Sequence, residues 1–127
     1  MSTVVVTAKS FESMVDVPGI VLVDWCAAWC GPCRVFAPIF ESASQRHPDL
    51  TWAKVDTDAE GALASAFQIR SIPTLMVFRD GVLVFEQPGV LPAAALEQLV
   101  KSVRALDMDE VRRSTQTTGP EPEGDRT

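Results

Sequence analysis

The sequence predicts one α/β domain in which a central mixed β-sheet is flanked by α-helices. In the first half of the 127-residue chain, apolar segments rich in β-branched residues alternate with segments of helical periodicity. This strand–helix–strand order favours parallel strands joined by a right-handed crossover. In the second half, two β-rich segments are separated only by Asp80-Gly81, which is typical of an antiparallel hairpin. With 46% hydrophobic residues, the chain has enough apolar side chains to build a core.

The first predicted elements are short and end at a clear break. A run of valines predicts a strand over residues 3–7, and apolar residues at helical spacing predict a helix over residues 9–15. Pro18-Gly19 ends that helix. The segment from Ile20 to about Ala27 is almost wholly apolar, as expected of a strand that is buried on both faces.

The predicted helix after this strand begins at two cysteines and runs to about Arg46. Pro38 inside it removes one helical hydrogen bond and is expected to kink it. A third strand is predicted over residues 51–56. Thr57-x-x-Glu60 resembles a capping box, which predicts a helix over residues 58–67.

The last predicted elements are the hairpin strands over residues 74–79 and 82–86, and a helix that starts at Pro92 and ends near Leu106. From Asp107 onward the chain is rich in Pro, Gly, Thr and Glu, which predicts a disordered polar tail. We therefore expect a folded domain over residues 1–106 and a tail over residues 107–127.

Composition and charge argue against several classes of function. The formal net charge of −6 argues against nucleic acid or an anionic membrane as the main partner. The first residues carry no basic leader and only a short apolar run, so neither a signal peptide nor a membrane anchor is expected. A reducing cytoplasm is the expected location, where a Cys-x-x-Cys pair is catalytic or metal-binding rather than structural.

The chain is organised around the motif Trp29-Cys30-Gly31-Pro32-Cys33. Cysteines at this spacing can close and reopen a small disulfide ring. The motif joins the buried strand to the following helix, so that Cys30 is expected at the junction and Cys33 in the first turn. The first N–H groups of a helix lack internal partners and the macrodipole is positive there, which stabilises a thiolate at Cys30. The pattern predicts thiol–disulfide exchange.

Zinc binding is the alternative use of these cysteines. A structural zinc site needs four ligands, and the chain offers three cysteines and His47, with no second Cys-x-x-Cys. Redox chemistry is therefore favoured, and no metal is expected. The Gly31-Pro32 dipeptide adds no positive charge beside Cys30, which favours a reductant over an oxidant.

Several segments together resemble the thioredoxin family in their order and spacing. They are Val23-Asp24-Trp25, the cysteine motif, Pro38, Ala53-Lys54-Val55-Asp56, Ile72-Pro73-Thr74 and Gly89. The resemblance covers residues 3–106 and implies a thioredoxin fold. It also implies a protein-disulfide reductase that carries electrons through its cysteines, serves cell redox homeostasis and acts as a monomer. Its implied partners are disulfide-containing client proteins and an NADPH-dependent thioredoxin reductase, with no cofactor bound to the chain itself.

The resemblance implies a role for each residue of the reacting centre. Cys30, expected to be exposed, attacks a client disulfide, and the more deeply buried Cys33 resolves the mixed disulfide. Asp24 interrupts an apolar strand, so we expect a buried base with a raised pKa that accepts the Cys33 proton. The alternative is a strand-end aspartate that reaches water. Lys54 matches the lysine that neighbours this aspartate in the family, and its alternative is an ordinary surface lysine.

The resemblance also implies a groove for the client around Cys30. A cis peptide bond is expected between Ile72 and Pro73, opposite the cysteines, where the Ile72 backbone pairs with an extended client segment. A trans proline at a strand edge is the alternative. The expected groove is apolar and shallow. For Trp29, the alternative interpretation is a residue of the core. The residues of the groove are Trp29, Gly31, Pro32, Ile72, Pro73, Gly89 and Val90.

Cys26 departs from the family, which commonly has tryptophan at this position. By strand alternation its side chain shares a face with Asp24. The favoured interpretation is a small buried side chain that fills part of the vacated volume. The alternatives are a third redox thiol or a residue that perturbs the surroundings of Asp24.

Two other functions fit the same fold. One is a binding or chaperone module whose cysteines are incidental, and the intact cysteine pair with Asp24 and Pro73 argues against it. The other is a thiol oxidant or isomerase, which Gly31-Pro32 and the missing export signal disfavour.

Overall fold

The computed structural model describes residues 3–118, which form five strands and five helices. Within these residues, no helix is both long enough and apolar enough to cross a membrane. In chain order the elements are β1 (Thr3–Val5), α1 (Ala8–Val15), β2 (Ile20–Cys26), α2 (Gly31–Arg46), β3 (Thr51–Asp56), α3 (Gly61–Ala66), β4 (Thr74–Arg79), β5 (Val82–Pro88), α4 (Ala93–Arg104) and α5 (Met108–Thr118).

The strands form one five-stranded sheet in the order β1-β3-β2-β4-β5. The central strand β2 pairs in parallel with β3 and antiparallel with β4. At the edges, β1 is parallel to β3 and β5 is antiparallel to β4. Asp80 and Gly81 both have positive φ, as a tight hairpin turn requires. The predicted mixed sheet and hairpin are therefore confirmed.

Helices cover both faces of the sheet. Because side chains alternate along β2, Val23 and Trp25 pack with α1 and α3, whereas Leu22 points toward α2 and α4. Phe36 and Phe40 of α2 pack on this second face. This packing holds α2 along the sheet, so that its first turn lies near the carboxyl ends of β2 and β3, where β4 begins.

Helix α3 begins later than the capping-box pattern predicts. The helix starts at Gly61, and residues 57–60 form a turn. The Thr57 hydroxyl donates to the carbonyl of Cys26 instead of capping a helix. The Asp56 carboxylate accepts the N–H of Asp58 and so stabilises the turn. A similar small difference occurs at α4, where Pro92 is the N-cap rather than the first helical residue.

The prediction of a disordered tail from residue 107 is wrong over Met108–Thr118, where the chain forms helix α5. Met108 is buried, so the folded domain extends beyond residue 106. The Asp107 carboxylate accepts the backbone N–H groups of Asp109 and Glu110, which caps the helix. The rest of the predicted tail, residues 119–127, lies outside the described residues.

Candidate active site

The two cysteines of the motif lie at the amino end of α2. Cys30 is the N-cap residue in an extended conformation, and Pro32 lies in the first turn, where its missing N–H costs no hydrogen bond. The Sγ of Cys30 accepts a hydrogen bond from the backbone N–H of Cys33 at 3.3 Å. Negative charge that develops on this sulfur is therefore stabilised by a helix donor and by the macrodipole.

The exposure of Cys30 differs from the prediction. Cys30 and Cys33 are each 4% exposed, so the expected contrast between an exposed and a buried cysteine is wrong. The Cys30 thiol turns inward, because it also donates to the carbonyl oxygen of Ile72 at 3.6 Å. Both thiols are free, so the structure represents the dithiol state.

Cys33 lies in the first turn of α2, beneath Cys30. Burial, together with the hydrogen bond to the adjacent Cys30 thiol, raises the pKa of Cys33 to about 12. Such a thiol is almost wholly protonated at neutral pH. For Cys33 to act as a nucleophile, a nearby group has to take its proton.

Asp24 lies in the middle of the apolar strand β2 and has no exposed surface. Neither carboxylate oxygen has a hydrogen-bond partner among residues 3–118. Burial raises the pKa of Asp24 to about 7, and the Lys54 charge and the neighbouring Cys26 thiol offset burial only in part. A carboxyl with a pKa near 7 can both accept and release a proton at neutral pH.

Lys54 occupies the strand position next to Asp24. The two residues are paired in register between β2 and β3, so their side chains emerge on the same face. Lys54 is half-buried rather than fully exposed. Its charge lowers the pKa of Asp24, although by less than burial raises it.

The loop before β4 lies against the cysteines. The peptide bond between Ile72 and Pro73 is cis, as the resemblance implies. The Ile72 carbonyl faces the Cys30 thiol, and the Pro73 carbonyl accepts the N–H of Gly89 at 2.8 Å. The structure therefore brings together Cys30, the cis-proline loop and the turn after β5.

The other residues of the predicted groove are at the surface. Trp29 is 66% exposed, so it is not a core residue. Gly31, Pro32, Gly89 and Val90 are also exposed, Ile72 is half-buried and Pro73 is buried. The arrangement offers an apolar surface beside a thiol that is itself recessed.

Asp58 belongs to this surface and was missed by the sequence analysis. Its carboxylate accepts a hydrogen bond from the indole Nε1–H of Trp29 at 2.8 Å. This contact orients the most exposed aromatic side chain beside the cysteines. The available signal was the position of Asp58, two residues after the end of a strand whose carboxyl end lies near the cysteine motif.

Cys26 ends β2, two residues after Asp24, and is half-buried. Burial raises the pKa of Cys26 to about 11, and the Asp24 carboxylate contributes to the rise. A thiol that remains protonated is a poor nucleophile. These surroundings argue against a third redox thiol.

The fold and the site define a dithiol redox protein, in which a Cys-x-x-Cys pair starts the helix after the central strand of a mixed sheet. A model of the family described as Thioredoxin matches residues 2–102. The chain therefore belongs to the thioredoxin family. The predicted thioredoxin fold and redox function are confirmed.

Individual relatives agree with this assignment. The chain is 51% identical over 113 residues to a Streptomyces coelicolor protein called putative thioredoxin 2, which covers 89% of this chain and 84% of that protein. It is 40% identical over 101 residues to the thioredoxin of Bacillus subtilis, with 79% and 96% covered. A solved structure of a mutant thioredoxin from Halobacterium salinarum matches with a TM-score of 0.75 at 33% identity, with 84% of this chain and 95% of the other covered.

Proposed function

We propose that this protein is a protein-disulfide reductase that passes electrons through Cys30 and Cys33. The observation that carries the proposal is the hydrogen bond from the Cys33 N–H to the Cys30 sulfur at the amino end of α2. It directs a helix donor at one sulfur and leaves the second sulfur one helical turn away. A dithiol held in this way is suited to forming a mixed disulfide and then resolving it.

In the first step, the Cys30 thiolate attacks one sulfur of a client disulfide. The client S–S bond breaks, a bond forms between Cys30 and the client, and the other client sulfur leaves as a thiolate. In the second step, the Asp24 carboxylate takes the Cys33 proton, and the Cys33 thiolate attacks Cys30. The mixed disulfide breaks, so the client leaves with both sulfurs reduced while Cys30 and Cys33 become a disulfide.

The groove beside Cys30 is the proposed docking site for the client. The Ile72 carbonyl already contacts the Cys30 thiol, so a client disulfide that reaches this sulfur passes next to the Ile72 backbone. An extended client segment can pair with that backbone. The exposed Trp29, Pro32 and Val90 supply apolar contacts on either side.

The catalytic cycle needs no cofactor bound to this chain, because the cysteines themselves hold the two electrons. We infer that an NADPH-dependent thioredoxin reductase restores the dithiol. The reducing direction is supported by Gly31-Pro32, which places no cation beside Cys30. A monomer in the cytoplasm is the form that we propose for this activity.

The proposal is tested by insulin disulfide reduction with dithiothreitol as the electron source. Wild type is compared with Cys30→Ser, Cys33→Ser and the double variant. We expect acceleration by wild type and none by any variant. In parallel, Cys33→Ser should trap a client as a mixed disulfide on Cys30, whereas Cys30→Ser should trap none, and peptide mass mapping locates the bond.

Wild-type activity no greater than that of dithiothreitol alone would overturn the reductase proposal and favour a binding module. Full activity of Cys33→Ser would instead overturn the resolving role of Cys33. Trapping on Cys26 rather than Cys30 would contradict the assignment of the nucleophile.

A further inference from the structure

A pocket of about 310 Å³ opens on the face of the sheet that also carries Asp24. Its wall includes Cys26 from β2, Lys54 and Asp56 from β3, and Val5 from the edge strand β1. Val5 is opposite Lys54, and Cys26 is opposite Asp56, in the strand registers. All four side chains therefore emerge on one face.

Asp24 has different neighbours toward the core and toward the pocket. Toward the core, Leu22 precedes it on the same face of β2 and Leu75 lies opposite it on β4, and both leucines are buried. Toward the edge of the sheet, its neighbours on this face are Cys26 and Lys54, which both form the pocket wall. Cys26 and Lys54 thus lie between the buried carboxyl and the pocket.

We propose that Cys26 is a positioning residue that acts through Asp24, because its small side chain, together with Lys54, separates the fully buried carboxyl from the water of this pocket. The inference rests on the proposed role of Asp24 as the base for Cys33. It assigns a function to a thiol that the exchange mechanism does not otherwise use.

The proton balance explains why this access matters. In each turnover Asp24 takes one proton from Cys33 and has to release it before the next client is resolved. Water in the pocket is the acceptor, and no electrons move in this step. A larger side chain at position 26 excludes that water, which disfavours the carboxylate and keeps Asp24 protonated.

Other ionisable groups on this face also affect the protonation equilibrium of Asp24. Lys54 and Asp56 lie on β3, and the thiols of Cys30 and Cys33 lie at the end of α2. Glu41 of α2 accepts a hydrogen bond from Thr3 at the pocket wall. α4 presents the apolar residues Leu96 and Val100 to this face. These groups are the same in every variant below, so they do not account for differences among the variants.

The test compares Cys26→Ala with Cys26→Leu, which both lack the thiol that lowers the Asp24 pKa and differ only in the size of the side chain. Cys26→Ala enlarges the opening, Cys26→Leu fills it, and Cys26→Ser keeps its size. Val5→Ala is the matched control, since Val5 lines the same pocket but is separated from Asp24 by Lys54. The Asp24 carboxyl is titrated by carbon-13 NMR in the dithiol form of each protein whose fold is verified by circular dichroism.

We expect the Asp24 titration midpoint to be lower in Cys26→Ala than in Cys26→Leu, with Val5→Ala equal to wild type. An increase of about one pKa unit in Cys26→Leu would reduce the ionised fraction of Asp24 at neutral pH about fivefold. The resolution step should slow by the same factor. It is measured with a disulfide reagent whose second coloured thiolate is released only when Cys33 attacks.

Equal Asp24 titration midpoints in the folded position-26 variants would overturn the proposal. If Cys26→Leu fails to fold, Cys26→Val takes its place, since valine also lacks the thiol and is larger than alanine. Asp24→Asn separates this inference from the proposed function. Normal resolution in Asp24→Asn would refute Asp24 as the base, whereas slow resolution in Asp24→Asn with unchanged midpoints in the position-26 variants would refute only the role of Cys26.

Discussion

Asp24 on β2 and Lys54 on β3 are direct neighbours in register, yet the pKa of Asp24 is raised rather than lowered. A cation beside a carboxylate normally lowers its pKa, and burial normally raises it. Burial therefore has the larger effect at this position. Lys54 is only half-buried, so its charge remains partly hydrated and compensates the carboxylate incompletely.

The first prediction concerns stability as a function of pH. The pKa of Asp24 is about 7 in the folded state, against an ordinary value of 3.8. Between these values the folded state binds one proton more than the unfolded state, so this group makes stability fall as the pH rises through that window. Above the folded pKa the loss is complete and constant. Asp24→Asn should therefore be more stable than wild type above neutral pH, by on the order of 2–4 kcal/mol.

The measurement is urea unfolding of wild type and Asp24→Asn at several pH values from mildly acidic to mildly alkaline. The two curves of unfolding free energy should approach each other toward acidic pH. A constant difference across the whole range would show that the burial of charge is not the cause. The variant should also resolve mixed disulfides more slowly, because asparagine cannot accept a proton.

The second prediction concerns Lys54. Lys54→Met removes the cation that lowers the Asp24 pKa, so the titration midpoint of Asp24 should rise by about half a unit to one unit. The pH at which the resolution step reaches half of its maximal rate should rise by the same amount. Lys54→Arg keeps the charge and serves as the control. A pH profile of Lys54→Met that coincides with that of wild type would mean that the lysine does not tune the carboxyl.

Much of the fold is predictable because its patterns are local. The apolar run of β2, the Asp80-Gly81 turn and the helical spacing after the cysteines each depend on a few adjacent residues. The position of the cysteines at a helix start follows from the same short segment. The cis peptide before Pro73 has no such local signal, and its prediction depended on the family resemblance.

The features that the sequence did not predict depend on distant contacts. The burial of Cys30 involves the Ile72 carbonyl, which is 42 residues away. The contact between Trp29 and Asp58 joins residues 29 positions apart. Helix α5 is strongly polar in composition, and its first turn packs through the buried Met108. Such contacts form only when the chain has folded, so composition alone indicates a tail.

The third prediction concerns the orientation of Trp29. Asp58→Ala removes the acceptor of the indole N–H, and Trp29 is then free to adopt other rotamers. A hydrogen bond to a carboxylate at an exposed site contributes roughly one kcal/mol, so the KM for a disulfide client should rise about two- to fivefold. The kcat should change little, because the cysteines and Asp24 are not affected.

The control for this effect is Asp49→Ala. Asp49 is also exposed and also has a partner, but that partner is Arg104 rather than a residue of the groove. Asp49→Ala changes the net charge by the same amount as Asp58→Ala and should leave the KM unaltered. An equal rise of KM in both variants would indicate general electrostatics rather than the position of Trp29.

The fourth prediction concerns Arg79 at the end of β4. Its side chain hydrogen-bonds to the carboxyl end of α4 and to the loop that follows. Its Nη1 donates to the carbonyl oxygens of Val103 at 2.6 Å, near the end of α4, and of Leu106 at 2.9 Å, just after α4. Arg79→Met should lower the unfolding free energy by about 1–3 kcal/mol, because partly buried carbonyls lose a charged donor. Insulin reduction should be unaffected, since Arg79 lies at the opposite end of β4 from Pro73.

Urea unfolding measures the loss of stability in Arg79→Met. Arg112→Met is the control, because the exposed ion pair of Arg112 with Asp109 on α5 is worth less than about 1 kcal/mol. Equal destabilisation by the two substitutions would contradict a special role for Arg79 and would mean that its carbonyl partners are satisfied by water instead.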